Sequence, residues 1–312
     1  MGLIAKVEKK KRETVPEQSD TLTSSPVVLS SMENPKVGLE SDGRISSITP
    51  SFDEPSQRLR DAEVKEVLDS FHESIGEGAE HEHFARVPTG IQGLDEVMDG
   101  GLRKGTVNLV GGGAGCGKSI FSMQFLVEGI QQFHEPGMYI SFEENQEKII
   151  QDFRSFGWDL KRFVEDKKLV ILYYTPEQVE RFLESGGGMV RDLIETLGVK
   201  RIVLDSLTAF TLLFVSELDK TKGILKLFDS VHSWGVTALM TAEQEPNPTA
   251  HRSTVIEFQV DGVILLYNVR KGDVRERSLE IFKMRATKHS AKIFPMQITD
   301  IGVTIYPEEP VF

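Results

Sequence analysis

The sequence has one cysteine, Cys116, in 312 residues, so no internal disulfide forms and neither a disulfide-stapled scaffold nor a zinc ribbon fits. It lacks any apolar run of the roughly 18–20 residues that a membrane-spanning helix needs. Its opening cations, Lys9, Lys10, Lys11 and Arg12, are not followed by the apolar stretch of a secretory signal, so a cytoplasmic setting is expected. Positive charge is also scarce. Lys and Arg number 36 against 48 Asp and Glu, net −12, which argues against broad sequence-independent binding to nucleic acid. What remains, 39% hydrophobic and 27% charged residues, suits a soluble globular core.

Composition changes near residue 84. Between Thr14 and Ser56, 19 of 43 residues are Ser, Thr or Pro, and such a stretch buries too little apolar surface to offset its ordering entropy. Residues 56–76 then carry Val64, Val67, Leu68, Phe71 and Ile75 at three- and four-residue spacing, the pattern of an amphipathic helix. That helix is read as a flap on its own core, or as a docking element for an unidentified protein partner. The first 83 residues hold 10 Lys and Arg against 17 Asp and Glu, so the tail is a poor nucleic-acid arm. His81-Glu82-His83 has ligand-type side chains without a partner cluster.

Residues 84–312 alternate β-rich runs with helical stretches. Strands are expected over 106–110, 138–142, 169–173, 201–205 and 236–240, with helices over 119–130, 146–156, 179–197 and 220–234. This rhythm predicts an α/β domain with a mostly parallel sheet between helices. Segments 263–267, 279–285 and 303–306, set around the Lys271-Gly272-Asp273 turn, predict a C-terminal antiparallel extension.

The chemistry concentrates in Gly112-Gly113-Ala114-Gly115-Cys116-Gly117-Lys118-Ser119, followed by Ile120. This is a phosphate loop between a strand and a helix. Its glycines let backbone N–H groups curl around phosphate, Lys118 reaches the β- and γ-phosphates of ATP, and the Ser119 hydroxyl ligates Mg²⁺. A carboxylate for the same metal is expected at the end of another apolar strand, and Asp205 ends Arg201-Ile202-Val203-Leu204. Glu143 and Glu144 follow a strand, where a carboxylate orients and deprotonates the attacking water or, alternatively, begins a helix. Cys116 stands at a helix N-terminus, which lowers a thiol's pKa; the plainer reading is a tolerated small side chain.

These residues together with Pro88-Thr89-Gly90-Ile91-Gln92-Gly93-Leu94-Asp95, Arg154-Ser155-Phe156-Gly157-Trp158 and Phe282-Lys283-Met284-Arg285 resemble the KaiC-like branch of the RecA superfamily. The likeness covers nearly all of 84–312 and almost none of the tail. It implies a RecA-like P-loop ATPase and a homo-oligomeric ring, usually of six subunits, with ATP held between neighbours. On it, Glu143 is the general base and Glu144 its partner, and Ser155 lies near the adenosine. Lys283, Arg285, Thr287 and His289 reach the nucleotide of the adjacent subunit, with Asp300 in the same rim. Strand alternation independently puts Lys283 and Arg285 on one face, where two cations need anions. Gln244 stands where RecA-like proteins place a γ-phosphate sensor. The family's phosphorylating domains carry a Ser-Thr pair shortly before an Asp matching Asp261. Here those positions are Glu257 and Phe258, with Ser253 and Thr254 out of register, so autokinase activity is not expected.

The main functional expectation is a regulatory or signalling ATPase that binds ATP and Mg²⁺. A RecA-paralogue accessory factor in DNA repair is one alternative, disfavoured by the acidic balance and by the weakly charged loop 245–252. A nucleotide-gated scaffold with little turnover is the other, disfavoured by the intact Lys118, Asp205 and Glu143.

Overall fold

Strands with apolar side chains on both faces require cover on both faces, and the alternation along this chain supplies it. Val107, Leu109, Val263 and Leu265 enter one buried cluster, while Val110, Ile264 and Leu266 enter the other. The computed structural model describes residues 84–244 and 255–309. The Ser/Thr/Pro-rich tail, the expected helix 56–76, the His81-Glu82-His83 group, loop 245–252 and Ser253 and Thr254 lie outside the described residues. The chain divides into the units Met1–Glu80 and His81–Phe312.

Strand β1 (Arg86–Val87), helix α1 (Leu94–Val97) and strand β2 (Leu102–Arg103) form a small antiparallel ribbon with its turn of helix. The main run follows as β3 (Val107–Gly112), α2 (Lys118–Gln132), β4 (Gly137–Ser141), α3 (Gln146–Asp152), a 3₁₀ turn (Arg154–Phe156), α4 (Leu160–Glu165) and β5 (Leu169–Tyr173). Next come α5 (Pro176–Glu184), α6 (Gly188–Leu197), β6 (Arg201–Asp205), α7 (Leu207–Leu212), α8 (Glu217–Ser233) and β7 (Thr237–Glu243). The chain ends with α9 (Val255–Gln259), β8 (Gly262–Lys271), β9 (Val274–Met284), β10 (Ile293–Thr299) and β11 (Gly302–Ile305). Nine strands form one sheet in the order β11-β10-β9-β8-β3-β7-β6-β4-β5. β5, β4, β6, β7, β3 and β8 pair in parallel, and β8 through β11 pair antiparallel. The expected α/β class with its antiparallel extension is therefore the observed one.

Helix α2 covers one face with Phe121, Met123, Phe125 and Leu126, joined by Ile149 of α3 and Trp158. The other face is covered from α5, α6, α7 and α8 by Val179, Phe182, Val190, Ile194, Phe210, Leu227 and Val231. Polar caps fix the helix starts: Asn145, Asp159, Ser206 and Ser216 each accept a backbone N–H of the following first turn. No described helix is long and apolar enough to cross a membrane.

Two expectations change. The helix expected over 179–197 is two helices. Gly186 and Gly187 break it with φ of 60° and 73°, and a Cβ on Gly187 would lie 2.6 Å from the Trp234 ring. The helix expected over 146–156 stops at Asp152 and resumes as the 3₁₀ turn, which ends at Gly157 with φ of 69°.

Candidate active site

In parallel strands the carboxyl ends share one edge, and the loops leaving that edge build a site across several segments. Here that edge brings together the loop after β3, the Glu143–Glu144 segment after β4, Asp205 at the end of β6, and Glu243 at the end of β7 with Gln244 following it. A cavity of about 400 Å³ opens among Lys118, Ser119, Ile120, Tyr139, Ser141, Glu143, Glu144, Asp152, Phe153, Phe156, Asp205, Ser206 and Glu243.

The phosphate loop is preformed. Gly117 enters α2 with φ of 104°, a backbone conformation that glycine alone adopts without strain, and Ile298 of β10 packs where its side chain would go. Lys118 Nζ donates to the carbonyls of Gly112 (2.9 Å) and Gly113 (3.0 Å), so the cation folds back over the loop. From the far side, Asn268 of β8 (3.4 Å) and Arg277 of β9 (3.3 Å through both Nε and Nη2) donate to the Gly115 carbonyl. Asn268 and Arg277 are a cross-strand pair, so the antiparallel hairpin grips the middle of the loop. The sequence reading missed both residues, which lie 153 and 162 positions from Gly115.

Asp205 is held from both sides. Tyr139 of β4 donates its phenol to Oδ2, and Thr241 of β7 donates its hydroxyl to Oδ1. The register explains both contacts. Tyr139 pairs with Val203, two residues before Asp205 on the same face, and Leu204 pairs with Met240, one step before Thr241. Burial, reinforced by Asp205, pushes the Tyr139 phenol well above its ordinary range. Magnesium takes hard oxygen ligands and is usually held by one or two carboxylates with phosphates and waters rather than by an all-protein cage. The Ser119 hydroxyl and the Asp205 carboxylate fit that donor set. Among the described residues there is no group of three or more His, Cys, Asp or Glu placed to hold a metal on its own.

The paired glutamates diverge, as adjacent residues leaving a strand do. Glu143 Oε1 accepts from Ser206 Oγ at 2.6 Å, which ties it to the residue after Asp205. Glu144 turns to Lys148 on α3. Both backbone N–H groups bond Ser141 Oγ, at 3.2 and 2.9 Å, so one hydroxyl shapes the turn that carries them. Ser155 is exposed on the 3₁₀ turn and does not line the cavity, whereas Phe153 and Phe156 on either side of it do.

Lys283 and Arg285 lie at the other end of the sheet. Because β9 runs antiparallel to β8, Met284 pairs with Gly262, which pairs with Asn108 at the start of β3. About 13 Å of strand separates that level from Gly112. Within the chain these cations are met by backbone carbonyls at and just after the end of α9, and Arg285 Nη1 also pairs with the Asp261 carboxylate at 3.7 Å. Lys283 Nζ donates to the carbonyls of Glu257 (2.8 Å) and Val260 (2.7 Å), and Arg285 Nη2 to Phe258 (2.7 Å). Burial, with Arg285 nearby, lowers the Lys283 ammonium from its ordinary value. Thr287 and His289 follow at the same end, Thr287 accepting from Arg86 Nη1 at 2.8 Å. The rim assigned to Asp300 needs correction. One more strand reverses direction again, so Asp300, between β10 and β11, stands at the edge of its own phosphate loop, beyond Ile298 on Gly117.

Cys116 is fully buried, and burial pushes its thiol up from the ordinary value, outweighing the opposing effect of Lys118. Burial thus supports the plainer reading of a tolerated small side chain. Gln244 Nε2 is buried and unpartnered, close to the backbone of Gly111.

Comparison with known proteins agrees with this geometry. A family model described as KaiC, an ATPase, matches residues 87–310. The circadian clock oscillator protein KaiC of Synechococcus elongatus is 37% identical over 243 residues, covering 75% of this chain and 46% of that protein. Its counterpart from Prochlorococcus marinus is 36% identical over 239 residues, covering 74% and 48%. This chain thus spans about half the length of the curated relatives it matches. A crystal structure of a KaiC-like protein from the hyperthermophilic archaeon Pyrococcus horikoshii superposes with a TM-score of 0.65 at 32% identity, covering 72% of this chain and all of that one.

Proposed function

The chain belongs to the KaiC family of ATPases, and from that premise we propose that it binds MgATP at Gly112–Ser119 and hydrolyses it within a head-to-tail ring of identical chains. The observation that carries the ring is the division of charge along the sheet. The phosphate loop, Asp205 and Glu143 stand at one edge, while Lys283 and Arg285 stand at the other. A surface that pairs one end of a molecule with the opposite end of its neighbour is heterologous, and closes into a ring when the rotation allows. In such a ring each site joins one chain's phosphate loop to the next chain's cations.

The residues then divide the work. Loop N–H groups and Lys118 hold the phosphates, Lys118 exchanging its two carbonyl partners for phosphate oxygens. Ser119 and Asp205 would hold Mg²⁺, which would supply positive charge to offset that of the phosphates. Glu143, oriented by Ser206, accepts a proton from the attacking water. Arg285 of the adjacent chain, released from the Phe258 carbonyl, stabilises charge on the transferring phosphoryl group. Autokinase activity is not part of this proposal. Glu257 is 2% exposed where a phosphoacceptor would stand, and Phe258 carries no hydroxyl. The output is regulatory: a conformational cycle driven by turnover, in the cytoplasm.

Calorimetric titration of ATP into the Lys118→Ala protein tests the base of this reading. Binding is expected to be lost, because the phosphates lose their closest cation. Affinity equal to that of the unaltered chain removes the loop from its role.

A further inference from the structure

An arginine side chain that swings between two partners needs a backbone that does not swing with it. Arg285 stands just past the end of β9, on the stretch 285–292 that belongs to no strand. Its N–H bonds the Asp261 carbonyl at 2.8 Å, and its own carbonyl accepts from the Thr287 hydroxyl at 3.3 Å. Ala286 between them has φ of 51°, a left-handed conformation that an alanine keeps only where its surroundings impose it.

The imposing contacts come from the small ribbon at the start of the domain. Thr287 Oγ1, its single proton given to the Arg285 carbonyl, accepts from Arg86 Nη1 at 2.8 Å, across 201 residues of sequence. Arg86 opens β1. Its Nη2 donates to Asp99 at 2.9 Å, and Nη1 also reaches the Gly101 carbonyl at 3.4 Å. Three residues past Thr287, the Ser290 N–H bonds the Val97 carbonyl at 3.2 Å. The ribbon itself is firm, because Val87, Leu94, Met98 and Leu102 are rooted in the buried core.

We propose that Arg86 is a positioning residue for Arg285: through Thr287 it fixes the Arg285 backbone, so the side chain leaves the Phe258 carbonyl while its root stays in place. The proposal rests on the shared-site reading above. The planar fork matters, since it serves Thr287, Asp99 and Gly101 together, whereas an ammonium is a point charge on a flexible stem. Arg285 acts on the next chain's nucleotide, and so the effect of Arg86 is felt there too. A chain without Arg86 keeps a sound phosphate loop of its own and offers its neighbour a poorly placed arginine.

The test is Arg86→Met in the full chain, read by phosphate release, with folding checked by thermal melting and mixed rings by native mass spectrometry. A misplacement of about 1 Å costs up to about 10²-fold, so turnover should fall about 10–100-fold, less than on removing Arg285 itself. Mixed equally with Lys118→Ala, whose 285–292 stretch is intact, Arg86→Met should rise to about a quarter of the unaltered turnover per site. Mixed with Arg285→Ala it should gain nothing, activity following the straight line between the two parents. A chain merely loosened by the substitution would not sort in this way. Arg86→Lys, which keeps the charge without the fork, should stay at least about threefold below the unaltered chain. It is sorted by the same mixtures if Arg86→Met does not fold. Unreduced turnover in Arg86→Met overturns the proposal, as does full activity in Arg86→Lys. So does a lack of recovery with Lys118→Ala in rings shown to be mixed, or a recovery with Arg285→Ala. If Lys118→Ala and Arg285→Ala fail to restore each other, the shared site itself falls, and this proposal with it.

Discussion

If Arg285 and Lys118 of one chain never meet, two damaged chains repair each other. Arg285 stands one residue beyond Met284, level with Asn108, and about 13 Å of strand lies between that level and the loop, beyond the reach of one side chain. Arg285→Ala is expected to lower turnover about 10³-fold, the lower end for a finger that stabilises phosphoryl charge, while ATP binding falls less. Lys118→Ala is inactive because its loop binds no nucleotide. Mixed at equal amounts with random assembly, a productive interface needs an Arg285→Ala chain supplying the loop and a Lys118→Ala chain supplying the cations. Each has probability one half, so about a quarter of interfaces are intact in a heterologous ring. Turnover per site should then recover to about a quarter of that of the unaltered chain, roughly 250-fold above the better parent.

The mixing curve is more telling than the single point. A shared site gives activity proportional to the product of the two fractions, a parabola peaking at equal mixing. A site complete within one chain gives a straight line between the parents. The assay is a steady-state phosphate-release measurement across mixing ratios, with subunit exchange confirmed by native mass spectrometry. A straight line from rings shown to be mixed refutes the division of the site between chains, and leaves Lys283 and Arg285 as clamps on the end of α9.

Asp205→Asn keeps the size but removes the charge and one of the two oxygens that accept from Tyr139 and Thr241, so Mg²⁺-dependent turnover should fall at least 10-fold while metal-free nucleotide binding holds; unchanged turnover across a magnesium titration removes Asp205 from the metal site. Incubation with γ-phosphate-labelled ATP should leave the chain unlabelled, and stoichiometric label mapped to Ser253 or Thr254 would contradict this. Cys116 should react with a thiol reagent far more slowly than a free cysteine at neutral pH, and acceleration should come only as pH climbs past the ordinary thiol range. The sign follows from burial: a raised pKa means less thiolate at any given pH, and thiolate is the nucleophile. Rapid, stoichiometric modification of the folded, nucleotide-free chain would show the loop to be open.

What a sequence discloses depends on how local the cause is. Strand β5 coincides with the apolar run Leu169–Tyr173, and β6 is the buried run Ile202–Leu204 with Arg201 and Asp205 at its two ends, because a strand covered on both faces needs unbroken apolar sequence between its ends. Lys118, Ser119 and Asp205 were legible because a phosphate loop and a strand-ending carboxylate are contiguous patterns. β10 was missed because Pro295 interrupts its alternation, although β9 pairs with it directly. α7 was missed because Leu207–Leu212 is a short, mostly apolar stretch that only the Ser206 cap turns into a helix. Tyr139 and Thr241 escaped notice for another reason. Their partner Asp205 is 66 and 36 residues away, and only the strand order makes them its neighbours. Asp300 was placed at the wrong end because each added antiparallel strand reverses which end of the sheet a residue reaches, and no local pattern counts those reversals.

The strand order also sets a timetable for the ribosome. β3, which delivers the phosphate loop, lies between β7 and β8. Asn108 of β3 contacts Ala238, 130 residues later, and the Val107 N–H bonds Asp261, 154 residues later. At about 5–20 residues per second, the emerging chain carries the loop for roughly 8–30 seconds before both flanking strands exist. Pairings this distant in sequence also close slowly, so the interval is one in which chaperones have access to the unpaired edges of β3. A chain truncated before Gly262 would hold the phosphate-loop motif, Asp205 and both glutamates, yet present the loop from an unfinished edge of the sheet.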